Sequence, residues 1–208
     1  MISNDYMWNV FINCPFDQDY EPIFHAIIFA VFDCGYIPKS ALASQDCSDV
    51  RIQKIVNIIK NCQYAIHDIS RTDLSPSKGL PRFNMPLELG LFLGAKYYGN
   101  KLQKTKSCLI LDKDQYRYQI FISDIAGQDI RAHNNETERA ISNVRDWLSS
   151  HNTKVRSPDG KEINRRYQLF RKDLPEICKE VKQSSDKLTF NDYSNAVSEW
   201  LKLNGNEF

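Results

Sequence analysis

Tyr64-Ala-Ile-His-Asp-Ile69 is short and nearly continuous in apolar character, broken only by the adjacent pair His67 and Asp68. A run of that length without clean apolar–polar alternation reads as a strand covered on both faces, the habit of a parallel sheet. Two other runs share it: Trp8-Asn-Val-Phe-Ile-Asn13 upstream, and Ser107-Cys-Leu-Ile-Leu111 downstream with Asp112 at its end. A weaker strand candidate covers 36–42.

Helical patterns lie between these runs. Residues 20–32 carry Ile23, Phe24, Ile27, Ile28, Val31 and Phe32 at helical spacing, with Gly35 as a stop signal. Residues 50–60 carry Ile52, Ile55, Val56, Ile58 and Ile59 on a broad face. From Met85 to Ala95 every residue is apolar, Pro or Gly except Glu88. Pro86 suits a first helical turn, where its missing N–H costs nothing, and this predicts Glu88 in the opening turn. There the helix dipole favours its charged form, so a low or normal pKa is expected.

Strand and helix therefore alternate four times in the first 112 residues, which predicts an α/β domain built on a parallel sheet. Right-handed crossovers gather the strand-to-helix loops at one edge, where open α/β sheets bind ligands. That edge collects residues 13–17, 43–51, 68–84 with Glu88 behind them, and 112–114. Further on, 116–122 and 125–132 suit a helix and a fifth strand, and 137–148 an amphipathic helix with Ile141, Val144, Trp147 and Leu148 on one side. Ser157-Pro-Asp-Gly160 reads as a turn, 164–182 as a charged helical stretch interrupted near Pro175, and 191–203 as a last helix. The break at 150–160 divides an α/β domain (1–150) from a helical C-terminal extension packing on it (151–208).

The 208 residues are 42% hydrophobic and 12% aromatic, enough for one well-filled domain with an extension. Lys+Arg 27 against Asp+Glu 26 leaves a formal charge of +1 with no basic tract, so nucleic acid is not a favoured partner. No apolar run reaches bilayer length and Met1-Ile-Ser-Asn-Asp5 lacks the zones of a signal peptide; a soluble, cytoplasmic protein with no membrane partner is expected. Six scattered cysteines (14, 34, 47, 62, 108 and 178) without a C-x-x-C pair read as free thiols. Four histidines (25, 67, 133 and 151) without ligand spacing argue against zinc.

Neither G-x-G-x-x-G nor G-x-x-x-x-G-K-[ST] occurs, nor a G-x-S-x-G elbow, which disfavours dinucleotide oxidoreductases, P-loop ATPases and α/β-hydrolase triads. Acidic residues at strand ends remain: Asp17, Asp46, Asp68 and Glu88. Asp68 suits either a cap on the next turn or a grip on a sugar hydroxyl. Arg51 and Arg71 suit a phosphate or these acids. Phe16, Tyr20 and Phe83 suit stacking on a base or nicotinamide, or core packing. Asn84 suits a ribose or a helix cap; Cys14 has no histidine placed to activate it. Cleavage of an N-glycosidic bond builds positive charge at the anomeric carbon, and a lone carboxylate with groups gripping the ribose meets that need better than it meets other chemistry.

Val10-Phe-Ile-Asn-Cys-Pro-Phe-Asp17, Cys62-Gln-Tyr-Ala-Ile-His-Asp-Ile-Ser-Arg71 and Phe83-Asn-Met-Pro-Leu-Glu-Leu-Gly90 resemble the superfamily of nucleoside 2-deoxyribosyltransferase-like and TIR-like domains, in particular its small bacterial members, over residues 8–130. The resemblance implies a flavodoxin-like parallel sheet of about five strands flanked by helices. It also implies a hydrolase or transferase at the N-glycosidic bond of NAD+ or a related nucleotide or nucleoside. By it Glu88 is the catalytic carboxylate and Asp68 holds the sugar or orders the site. Asn13, Phe16, Asp17, Asp46, Arg51, Arg71, Phe83 and Asn84 are the candidate substrate contacts. No cofactor or metal is expected beyond the nucleotide itself. Anti-phage defence by NAD+ depletion is implied too, with a separate sensor protein or self-assembly as trigger. The alternative is a non-catalytic nucleotide-binding or self-assembling signalling module of the same fold.

Overall fold

The computed structural model describes residues 5–43, 46, 48–72, 82–151 and 157–204. Cys47, most of the predicted 70–81 loop and the centre of the predicted 150–160 break lie outside them. Five strands, β1 (Asn9–Asn13), β2 (Ile37–Lys39), β3 (Tyr64–Asp68), β4 (Ser107–Asp112) and β5 (Arg131–Ala132), form one sheet. Every pairing is parallel and the order is β2-β1-β3-β4-β5. The helices are α1 (Glu21–Asp33), α2 (Arg51–Lys60), α3 (Asn84–Tyr98), α4 (Thr137–His151), α5 (Gly160–Glu180) and α6 (Phe190–Asn204). This is the α/β, flavodoxin-like arrangement.

Every residue of β1 and β3 is buried, which is why neither strand alternates in sequence. Val10, Ile12, Ile66 and Leu111 pack with α1 and α4, while Phe11 and Ala65 pack with Ile55, Ile59 and Phe92 of α2 and α3. On α2 only Ile55 and Ile59 are buried; Ile52 and Val56 of the expected broad face are exposed. Lys106, just before β4, is itself buried and donates from Nζ to the carbonyls of Ile59 (2.6 Å) and Cys62, closing the end of α2.

α1 is apolar nearly all round because it is covered twice. One side meets the sheet and the other meets the C-terminal helices, through Tyr167, Phe170, Tyr193, Val197 and Trp200. A buried pair, Arg166 Nη1 to Asp33 Oδ1 at 2.9 Å, joins α5 to the last turn of α1. Residues 160–204 thus share the core of the α/β unit.

Three sequence expectations are corrected. Asp159 is the N-cap of α5, its side chain accepting from the Glu162 N–H at 2.8 Å, so 157–160 enters a helix directly. α5 runs unbroken through Pro175, which is exposed, so the carbonyl it leaves unpaired can turn to water. Segment 116–125 holds only two short 3-10 turns, and β5 is two residues long. No described helix is long and apolar enough to cross a membrane.

Candidate functional site

In this strand order the connection from β1 leads toward β2 and that from β3 leads toward β4, so the loops after β1 and β3 part at the carboxyl edge of the sheet. α1 and α3, which follow those loops, pack on opposite faces. Alternation along β3 sends His67 and Asp68 to opposite faces as well.

Asp68 is wholly enclosed. Its Oδ2 accepts from Tyr20 Oη at 2.7 Å and lies 3.0 Å from His133 Nε2. Its Oδ1 accepts from the Ser70 N–H at 2.9 Å and from Ser70 Oγ. The Asn135 N–H donates to His133 Nδ1 at 3.0 Å, which places the ring proton on Nε2, toward Asp68. Burial alone raises the Asp68 pKa, but His133, Ser70 and Tyr20 outweigh it and hold the carboxyl below its usual range. At 0% exposure Asp68 caps the turn at Ser70 and orders this edge; it has no surface to offer a sugar. Tyr20, at 2%, is an anchor for Asp68 and not a stacking platform.

Asn13 pairs in register with His67 and donates from Nδ2 to His67 Nδ1 (2.9 Å) and to the Met85 carbonyl (3.0 Å). One buried amide thereby ties β1, β3 and the start of α3, which removes Asn13 from the candidate contacts. The His67 ring lies against Phe11 and Phe92. Burial, with help from Lys106, lowers its pKa to about 3, so it stays neutral.

α3 begins at Asn84, with Phe83 as N-cap and no side-chain cap bond. Glu88 is therefore the fifth residue of the helix, in its second turn instead of the opening one, past the unpaired N–H groups that were to hold its charge. It is 6% exposed and has no hydrogen bond or close ion pair among the described residues. Burial pushes its pKa up to about 7, with Arg51 pulling the other way. The expected low or normal value is overturned because desolvation exceeds what the helix can return at that depth.

Cys14 marks the centre of this edge. Burial, then the charges of Asp68, Glu88 and Asp17, push its thiol well above the usual range, so it is no nucleophile. Asp17 accepts from Arg71 Nη2 at 3.0 Å and from Arg82 Nη1 at 3.4 Å, and Arg71 also lies 3.9 Å from Asp19. Arg71 Nε is buried with no hydrogen-bond partner among the described residues. Arg51, Phe83 and Asn84 are exposed at the starts of α2 and α3, and Asp46 is exposed and bonded to Ser48. Phe16 and Asp17 line a cavity of about 250 Å³ between the beginnings of α1 and α6. Glu88 does not line this cavity.

His133, Arg82 and Arg117 had no signal in the sequence. Arg117 closes the next strand end, lying 2.6 Å from the buried Asp112 and donating to the Ile69 carbonyl at 2.9 Å. Among the described residues no group of His, Cys, Asp and Glu is placed to hold a metal ion. Comparisons with protein-family models, curated proteins and solved structures gave no significant match.

Proposed function

We propose that the chain cleaves or transfers at the N-glycosidic bond of NAD+ or a related nucleotide, with Glu88 facing the anomeric carbon. The observation that carries this reading is Glu88 itself, a desolvated carboxylate without a close partner among the described residues, at the β1–β3 divide of the sheet. Such a group is costly in the free protein and is relieved when positive charge appears beside it. In hydrolysis the C1′–N bond breaks, its electron pair leaves with the base, and water adds at C1′ and gives up a proton. The oxocarbenium-like centre between those events is the charge Glu88 faces. Only the ionised carboxylate serves, so the rate should rise with pH through about 7. Asp68, Tyr20 and His133 act at one remove, by holding the strand end and the start of α1 in place. A role in NAD+ depletion during phage defence rests on the family resemblance alone.

The test is product release. Wild-type protein and Glu88→Gln are incubated with NAD+ and a panel of nucleosides and nucleotides, and freed base is separated by chromatography. Release by the wild type and not by the variant is expected. Stoichiometric binding without product, retained in Glu88→Gln, replaces this reading with that of a nucleotide-binding module.

A further inference from the structure

α5 and α6 pack on α1, on the face of the sheet opposite α3 and Glu88, and between them lies a groove of about 570 Å³. Its α5 wall is formed by Asp173, Ile177, Glu180 and Val181, which share one face by their helical spacing. Asp192, Ala196, Glu199 and Leu203 do the same for α6. Trp200, buried, lies at the base with Ile177 and Ala196, which are half-buried against the core. Val181 is 60% exposed and Leu203 84%, so two large apolar side chains of this groove stand in water. Exposed apolar surface rimmed by polar groups marks an interaction site.

The rim has one sign. Four carboxylates, those of Asp173, Glu180, Asp192 and Glu199, line the groove, and among the described residues no Lys or Arg does. Glu199 has a cation beside it, Lys202 Nζ at 2.7 Å, in a pair exposed on both sides. Asp173 accepts from Trp200 Nε1 at 2.8 Å, and Asp192 accepts from Gln183 Nε2 at 3.0 Å and Thr189 Oγ1 at 2.6 Å. These donors are neutral and leave both charges uncompensated. Glu180 has no side-chain hydrogen bond or ion pair among the described residues.

Apolar base and acidic rim together select the occupant. Fixed negative charge repels fatty acids, phosphates, nucleic acid and anionic membrane surfaces. A wall that runs from Asp173 to Val181 is about 12 Å long, or about two helical turns. Two packed helices with an apolar trough between them offer the seat that a third, amphipathic helix fills. We propose that the groove docks a short amphipathic helix of a partner protein, its apolar stripe on Ile177, Ala196 and Trp200 and its Lys or Arg side chains on Asp173, Glu180 and Asp192. The proposal is independent of the glycosidic reading, since no residue of the groove belongs to the Glu88 edge.

Fluorescence anisotropy with the full chain and two labelled helical peptides tests it. The peptides share one leucine stripe; lysines flank it in the first and glutamates in the second. The chain's net charge of +1 supplies no general attraction for the lysine peptide. Saturable binding of the lysine peptide is expected, weakening as salt rises, with no binding of the glutamate peptide. Glu180→Lys and Val181→Gln, both at exposed positions, should each weaken the lysine peptide about fivefold. Glu138→Lys, exposed on α4 and outside the groove, should leave it unchanged. No binding of the lysine peptide, equal binding of both peptides, or as large a loss in Glu138→Lys as in Glu180→Lys overturns the proposal. Light scattering of the chain alone separates the remaining occupant. A dimer that Val181→Gln returns to monomer assigns the groove to a second copy and also overturns it.

Discussion

Tyr20 Oη donates to Asp68 Oδ2 across 2.7 Å, so the residue that precedes α1 is fastened to the residue that ends β3. Both side chains are buried, and the bond joins two loops that part at the sheet edge. Tyr20→Phe keeps the ring and removes one bond to a buried charge; it should cost about 2 kcal/mol in urea unfolding. Asp68→Ala leaves Tyr20, Ser70 and His133 without their acceptor and should cost about 3–5 kcal/mol. The Asp68 pKa is lower in the folded chain than in the unfolded one. Its contribution is therefore full above about pH 4 and is lost as pH falls through the folded pKa. Tyr20→Phe narrows that gap, so its acid loss should be shallower than that of the wild type.

Glu88 behaves in the opposite sense. Its folded pKa of about 7 stands above the ordinary 4.5, so between those values the folded chain binds the proton more tightly than the unfolded chain. Stability then falls as pH rises across that window and stays low above it. Glu88→Gln removes the effect. Thermal melts should show the variant more stable by about 1–2 kcal/mol at pH 8 and little changed at pH 4, while base release is lost.

Arg51 is exposed at the start of α2 and is the cation that holds the Glu88 pKa down. Arg51→Gln should move the ionising limb of the pH–rate profile upward by roughly a few tenths of a unit, less in high salt because Arg51 is exposed. Carbon NMR titration of the Glu88 carboxyl reads the same shift without any turnover.

Asp33 and Arg166 form the buried pair between α1 and α5, and burial raises Asp33 to about 6 in spite of its partner. Arg166→Met strands a buried acid and should cost about 3 kcal/mol or more. Adding Asp33→Asn should return most of that loss, a coupling visible in a double-mutant cycle by denaturant unfolding. Full additivity of the two changes would show that the pair does not tie the C-terminal helices to the core.

The limits of the sequence reading show at particular residues. β3 was legible because six neighbouring residues carry its signal, and burial on both faces leaves a continuous apolar run. The depth of Glu88 was not legible. Pro86 is compatible with several early helix positions, and Phe83, the N-cap, is exposed and makes no side-chain cap bond, so no local signal marks where the helix begins. For Asp68 the sequence left open a cap on the next turn and a grip on a sugar; the structure shows the cap at Ser70, while nothing near Asp68 in sequence announces Tyr20, 48 residues before it, or His133 beyond β5. Pro175 was read as a break, yet exposure of its side lets the helix continue.

The sequence by itself determined the parallel sheet and its alternating helices, since hydrophobic period and length are local properties of a chain that must bury its strands on both faces. It also determined which acids stand at the strand ends. Only the tertiary structure decided what those acids are: Asp68 a sealed, fully bonded anchor, Asp17 a bridge between two arginines, and Glu88 a carboxyl pushed toward protonation. Charge state and access depend on desolvation and on partners far away in sequence, and these exist only once loops from β1, β3 and the segment after β5 meet at one edge.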